Sequence, residues 1–342
     1  MDKVDNVRII NSRAPIRVCD IGGWTDTWFA RYGDIFNIGV NPCVEVQLRI
    51  QENANDNGIK IVLENFGETY ELDPDSISYN KHPLIEAAIG VMHIPVNLSF
   101  EACIFSPVPP GAATGTSAAV SIALIGALDV LTPGRMTPYE IAMMAHAIET
   151  KELGLECGIQ DQLASAYGGL NYIQMHEYPH ATVSRPIMSE EVLWELENRL
   201  VLVYIGKPHY SSEIHKKVIE SLGANASDDK RLHKLRELAR EAKDAVSAGD
   251  MLELGRAMDA NTKVQRDLNA GLVCPEFERI IGLSKQHNAL GHKVNGAGGD
   301  GGTLTLLTDG DSRKKRNLIE KIEQTGAVVI EISIATEGIR IW

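Results

Sequence analysis

The 342-residue chain carries 46 acidic against 33 basic residues, a formal net charge of −13, with 44% hydrophobic and 23% charged residues. That is the balance of a globular protein, too long for one hydrophobic core and too acidic for a nucleic-acid or anionic-membrane partner, both of which draw on excess Lys and Arg. Five cysteines without a C-x-x-C pair read as reduced thiols, no stretch approaches a membrane span, and Met1 to Asp5 carries no apolar signal region, so a two-domain cytoplasmic protein is expected.

In chain order, residues 7 to 50 read as β-rich. Val44, Val46, Leu48 and Ile50 alternate with Glu45, Gln47 and Arg49, the period of a half-buried strand, and Ile59 to Leu63 continues it after the turn-rich segment 53–58. Between the first strands, Arg13 to Thr27 packs Gly22, Gly23, Trp24 and Asp26 into one turn. Read locally, Trp24 is a core anchor before it is a wall against a sugar ring, and Asp26 a helix cap before it is a ligand for hydroxyls.

Val96 to Phe105 then reads as a strand and Ala118 to Leu131 as an almost continuously apolar helix, with a Pro/Gly/Ala/Thr/Ser loop between them. Small residues let the backbone approach a ligand closely, and the free N–H groups and positive dipole end of the helix suit a phosphate. Thr116 and Ser117 add hydroxyls for a phosphate oxygen or a metal ion. The loop lacks the G-x-x-x-x-G-K-[ST] pattern, which excludes a Walker-type P-loop and leaves a tightly packed turn as the alternative. Thr137-Pro138-Tyr139-Glu140 is a capping box opening a helix to about Leu153, on which Glu149 falls among the inward positions Ala142, Ala145 and Ile148. An inward carboxylate needs a partner. Asp161 lies in the first turn of a short helix that Ala166 to Gly169 ends, the usual place of a dipole-satisfying cap.

Beyond about residue 196 the pattern changes. A buried strand at Leu200 to Ile205 leads into a loop whose Lys207 and His209 suit either an anion or plain solvent. Residues 228 to 247 form an amphipathic helix with Leu232, Leu235, Leu238, Ala242 and Val246 on one face. Lys293 to Gly302 is a glycine-rich turn before a strand at Thr303 to Leu307; helix Ser312 to Thr325 and strand Ala327 to Ile334 complete a small α+β sandwich.

Arg13–Asp26, Pro109–Ala119 and Asn295–Gly302 stand in the order and spacing of the three motifs of the GHMP kinases, the superfamily of galactokinase, homoserine kinase, mevalonate kinase and phosphomevalonate kinase. The chain resembles that family over nearly its whole length, and its sugar kinases in particular. Gly158-Ile159-Gln160-Asp161-Gln162 is similar to the G-I-x-D-Q of galactokinases, Asp161-Gln162 followed by Ala166-Tyr167-Gly168-Gly169 to the heptose-phosphate kinases, and Gly22-Gly23-Trp24-Thr25-Asp26 to the G-G-W-S-D turn of fucokinases.

The resemblance implies an α+β, two-domain GHMP kinase fold, with a ribosomal-protein-S5-like domain over 1–195 and a ferredoxin-like sandwich over 196–342. It implies an ATP- and Mg2+-dependent sugar kinase acting on a small sugar or sugar phosphate. The anomeric hydroxyl of a heptose 7-phosphate comes first and L-fucose or another hexose next, with a non-catalytic sugar or nucleotide sensor as the alternative. By the same resemblance Pro110, Gly111, Ala112, Ala113, Thr114, Gly115, Thr116 and Ser117 cradle the ATP phosphates, and Asp161 and Arg17 are catalytic. Gly22, Gly23, Trp24, Thr25, Asp26 and Gly298 bind the sugar, while Ser117 and Glu149, the latter twelve positions before Asp161, hold Mg2+. The chain departs from the family at Gly23-Trp24, where galactokinases carry Glu-His, at Ala113-Thr114, where Gly-Leu is usual, and at Asp300, which interrupts the third motif's glycines.

Overall fold

A computed structural model describes residues 7–52, 58–95, 98–208, 211–223 and 226–342. The first half of the chain forms strands β1 (Val7–Ile21), β2 (Gly33–Glu52), β3 (Ile59–Leu63), β4 (Glu68–Leu72), β5 (Leu98–Phe105), β6 (Leu170–Glu177) and β7 (His180–Ser184), with helices α1 (Pro83–Val91), α2 (Thr116–Asp129), α3 (Pro138–Ala147) and α4 (Gln160–Tyr167). β2 is the hub of this sheet, antiparallel to β1, β5 and β6, while β3 runs parallel to β5. The alternation expected along β2 is realised, with Val44, Val46, Leu48 and Ile50 all buried. α2 is buried on nearly every side from Ala118 to Asp129, which is why its sequence has no polar face. It packs against β1 and β2 beside α4, so both helices present their N-terminal ends to the same region.

The second half contributes α5 (Glu190–Arg199), β8 (Leu200–Tyr204), α6 (Ser211–Leu222), α7 (Lys230–Ala248), α8 (Met251–Leu268), α9 (Pro275–Gln286), β9 (Gly291–Val294), β10 (Thr303–Leu307), α10 (Ser312–Glu323) and β11 (Val328–Ile330). Its four strands form an antiparallel sheet in the order β11-β8-β10-β9, on which Phe277, Ile280 and Ile281 of α9 and Leu318 and Ile322 of α10 build a separate core. α7 turns its apolar face, Leu232, Leu235, Leu238, Ala242 and Val246, inward and lies across β2 of the first sheet, with α8 between it and β9. These helices join the two α+β units.

Three expectations shift. The helix expected to run to Leu153 is α-helical to Ala147 and then widens into a π-turn, Ile148–Glu152, closed by Leu153 N–H donating to the Ile148 carbonyl five residues back (3.1 Å). The Thr150 hydroxyl donates to the His146 carbonyl (2.8 Å), competing for the acceptor that a regular helix gives to the backbone. The strand expected over Ala327 to Ile334 is divided. β11 stays in the second sheet, but β12 (Ser333–Ile334) pairs with β2 and β13 (Arg340–Ile341) with β1, so the last ten residues of the expected 196–342 domain join the first sheet. Their apolar pattern identifies strands but not which exposed edge they cover. Finally, Val96 and His209 lie outside the described residues.

The returning tail runs behind the helices that carry the candidate site. Ile339 N–H donates to the Ala166 carbonyl at the end of α4 (3.2 Å), and the Ile339 side chain fills the space above Gly126 in α2. A Cβ at Gly338 would sit 2.0 Å from the Ala166 oxygen, a clash with backbone that no rotamer relieves. Gly338→Ala is therefore expected to destabilise the protein by roughly 2–4 kcal/mol, read as a lower urea midpoint at unchanged m-value.

Candidate active site

The loop before α2 is shaped by left-handed residues: Gly111 (φ 73), Ala113 (φ 58) and Gly115 (φ 69). Gly115 is the N-cap and offers no side chain to the helix, and no acidic residue stands in the first turn, so its N–H groups face whatever lies in front of them. Ala113, where a glycine would relax, carries strain on the order of 1 kcal/mol. Its carbonyl is held by Arg17 Nη1 (2.5 Å), that of Ala112 by Thr303 Oγ1 (2.7 Å), and that of Thr114 by Arg17 N–H (2.9 Å). Ala112 and Thr114 are buried, the Thr114 hydroxyl meeting that of Thr116 (3.1 Å), whereas Pro110 and Ser117 are exposed and Thr116 is half-buried.

Arg17 comes from β1 and is itself buried. Its Nε donates to Asp161 Oδ1 (2.8 Å) and its Nη2 to Oδ2 (3.2 Å), a two-pronged ion pair, with Asp20 Oδ1 3.9 Å from Nη1. Burial alone would lower the guanidinium pKa, yet Asp161, Asp20 and Asp26 hold it above its ordinary value. Arg17 therefore stays charged, and Asp161, whose side chain is 30% exposed, keeps a face toward solvent. A Cβ at Gly115 would stand 3.3 Å from the Asp161 carboxyl, so the mouth of the loop and this carboxylate adjoin.

The third glycine-rich segment closes on the same point. A Cβ at Gly296 would lie 3.1 Å from the Ala113 oxygen and 3.4 Å from Arg17 Nη2. Beneath it, Asp20 accepts Gly296 N–H on both oxygens (3.0 and 3.1 Å) and Lys293 Nζ on Oδ1 (3.2 Å); Asp20 and Lys293 are fully buried, and burial lowers the lysine's pKa against the pull of Asp20. Asn295 Oδ1 accepts Cys19 N–H (3.0 Å) from β1. From α8, Asn261 Oδ1 accepts Gly22 N–H (2.8 Å) and Gln265 Nε2 donates to the Val294 and Gly296 carbonyls (3.2 Å each). Sequence reasoning passed over Asp20, Lys293, Asn261 and Gln265; the one available signal was the Asp20 carboxylate between the apolar residues Cys19 and Ile21 of β1.

The residues expected to meet the sugar divide into two groups. Gly22 (φ 88), Thr25 and Gly298 serve packing. A Cβ on Gly22 would lie 2.1 Å from the Asp34 oxygen, the Thr25 hydroxyl donates to the Gly22 carbonyl (2.7 Å), and a Cβ on Gly298 would lie 2.2 Å from the Leu272 oxygen. Trp24 is buried in the core and contacts the Phe29 ring. Gly23 and Asp26 instead face the start of α4. Asp26 Oδ2 accepts Gln160 N–H (3.1 Å) and rests on Gly158, where a Cβ would come within 1.9 Å of it. Burial pushes the Asp26 carboxyl up to about 6.

Glu149, on the π-turn, is buried and accepts Gln162 Nε2 (2.8 Å); burial pushes it up to about 7. No group of three or more His, Cys, Asp or Glu side chains among the described residues could by itself hold a metal ion. The two donors expected from the sequence, the Ser117 hydroxyl and the Glu149 carboxylate, are hard oxygens, the chemistry of a cation that keeps waters and binds ligand phosphates rather than one needing an all-protein cage. Lys207 pairs with Glu276 at the rim, and its carbonyl accepts Gly302 N–H (2.9 Å).

Comparison with known proteins places this geometry. The GHMP kinases N terminal domain matches residues 83–169 and the GHMP kinases C terminal domain residues 235–328, together more than half of the chain. The protein is a GHMP kinase. A mevalonate kinase of Thermococcus sibiricus is 30% identical over 70% of this chain and 68% of its own length. The D-glycero-alpha-D-manno-heptose 7-phosphate kinase of Campylobacter jejuni is 27% identical over 72% of this chain and 71% of its own. Among solved structures, a D-glycero-D-manno-heptose 1-phosphate kinase from Bacteroides thetaiotaomicron superimposes with a TM-score of 0.77 at 23% identity, covering 97% of this chain and 98% of that one. No helix among the described residues of this kinase is long and apolar enough to cross a membrane.

Removing one partner of a buried ion pair leaves the other charge uncompensated. Lys293→Met is expected to cost about 3–5 kcal/mol in urea unfolding, and Asp20→Asn in the same chain to recover part of that loss.

Proposed function

We propose that this GHMP kinase is an ATP- and Mg2+-dependent sugar kinase, with the anomeric hydroxyl of a heptose 7-phosphate as its first candidate acceptor. The observation that carries the reading is the Arg17–Asp161 pair set against Gly115, which puts a carboxylate held by a buried guanidinium at the place where a helix N-terminus would hold a terminal phosphate. The C. jejuni relative supports the choice of sugar. The Gly22-Gly23-Trp24 turn, similar to that of fucokinases, favours a free hexose such as L-fucose as the second reading.

Transfer requires that a sugar oxygen attack the γ-phosphorus as the bridging oxygen leaves with ADP, while the sugar proton is taken up. Positioning and charge neutralisation account for most of the rate in such reactions. Asp161 is the acceptor for that proton. Arg17 aligns Asp161 and balances its charge, and stands beside the equatorial oxygens as they gain charge. The backbone from Pro110 to Thr116 and the α2 dipole hold the phosphates, and Asp26 orients the sugar. Ser117 and Glu149 would hold Mg2+, which supplies charge neutralisation of the phosphates when bound.

ADP release with heptose 7-phosphate, L-fucose, galactose and mannose tests the reading; a protein that turns over none of them contradicts it. Asp161→Asn should lower kcat by roughly 10²–10⁴ with a small change in KM. Because burial raises Glu149 to about 7, protons compete with the metal below that pH. Half-saturating Mg2+ should rise by about tenfold per pH unit below neutrality in the wild type and lose that slope in Glu149→Gln.

A further inference from the structure

Four ionisable side chains, alternately basic and acidic, form a chain of contacts from the core to the mouth of the site: Lys293, Asp20, Arg17 and Asp161. Lys293 Nζ stands 3.2 Å from Asp20 Oδ1, the same oxygen lies 3.9 Å from Arg17 Nη1, and Arg17 Nε reaches Asp161 Oδ1 at 2.8 Å. Their side-chain exposures rise along the chain, 0%, 1%, 4% and 30%, so only the last opens to solvent.

Packing does not account for the inner pair. β9 is buried along its whole length, and an apolar pair in place of Lys293 and Asp20 would serve such a fold at least as well as two groups that must be desolvated. Asp20 does hold backbone, accepting Gly296 N–H on both oxygens (3.0 and 3.1 Å), but a neutral asparagine oxygen accepts such a bond too. Lys293 holds less: besides Asp20, its ammonium donates only to the carbonyl of the adjacent Val294 among the described residues. Asp20 is also a rival for Arg17. The guanidinium gives Asp161 two donors, while Asp20, within ion-pair reach, lies beyond hydrogen-bond distance. With no cation answering it, a buried Asp20 would draw Arg17 inward, and a shift of about 1 Å brings Nη1 into hydrogen-bonding range.

We propose that Lys293 is a positioning residue for phosphoryl transfer: by neutralising Asp20 it leaves the Arg17 fork on Asp161, where it aligns the carboxylate that takes the sugar proton. Lys293 touches neither substrate nor phosphate and acts through Asp20 and Arg17. This inference rests on the sugar-kinase reading of the site, in which Asp161 is the proton acceptor.

The test measures kcat per folded molecule with whichever of heptose 7-phosphate, L-fucose, galactose and mannose the wild type turns over best, at a temperature where circular dichroism shows each variant folded. Lys293→Met should lower kcat roughly ten- to hundredfold, with the KM values for sugar and ATP within about threefold of wild type. Adding Asp20→Asn removes the rival carboxylate, keeps an acceptor for Gly296 N–H and should return most of the lost kcat. A pair that served the fold alone would lower the urea midpoint and leave kcat per folded molecule equal in all three proteins. Should Lys293→Met fail to fold, Lys293→Gln keeps a donor for Asp20 without the charge and should show the same loss and the same rescue. If kcat per folded molecule stays within about twofold of wild type in a folded Lys293 variant, or falls and is not rescued by Asp20→Asn, the inference is wrong and the kinase reading stands. If the wild type phosphorylates none of the four sugars, both fall.

Discussion

A guanidinium buried under a sheet is the constraint on which this site is built. Arg17 cannot leave its charge unanswered in that environment, and its five N–H groups reach three segments: Asp161 on α4, the Ala113 carbonyl in the phosphate-facing loop, and the neighbourhood of Asp20 on its own strand. Satisfying one arginine therefore draws together parts of the chain 96 and 144 residues distant. The strained Ala113 and the absence of any side-chain cap on α2 follow from this demand, since the loop carbonyls turn inward to Arg17 and Thr303 while the helix N–H groups are left facing outward.

The second half of the chain completes the site by holding backbone rather than by supplying charge to the mouth. Asn261 and Gln265, one helical turn apart on α8, hold the Gly22 turn and the Gly296 segment respectively. Arg236 of α7, also buried, donates to the Tyr32 and Ala30 carbonyls (3.1 Å each). The turn between β1 and β2 is thus fixed from the opposite unit, so the sugar side and the phosphate side share a support. Motions that part the two units would disturb both at once.

Much of this was readable along the chain. β3 and β10 run over the residues expected, because a short apolar strand bounded by turn residues is a local signal. The apolar α2 behind a small-residue loop, the capping box at Thr137 and the place of Asp161 in the first turn of α4 are likewise local. What was not readable is non-local. Nothing in the spacing of Asp20 and Lys293, 273 positions apart, announces that they form a buried pair, and the apolar residues after Ala327 look alike whichever sheet they join. Gly22 and Gly298 resemble ligand-binding glycines in sequence, but the backbone oxygens of Asp34 and Leu272 press against them. The π-turn beneath Glu149 was hidden because a single widened turn leaves the helical pattern intact.

The central claim is that the α2 N-terminus and the Asp161 carboxylate face one and the same terminal phosphate. A crystal structure with Mg2+ and a non-hydrolysable ATP analogue tests it most directly. The account predicts the phosphates along residues 111–117, the γ-phosphate beside Asp161, and Arg17 still paired with that carboxylate. Phosphates bound elsewhere, or a γ-phosphate turned away from Asp161 with the ion pair undisturbed, would contradict it.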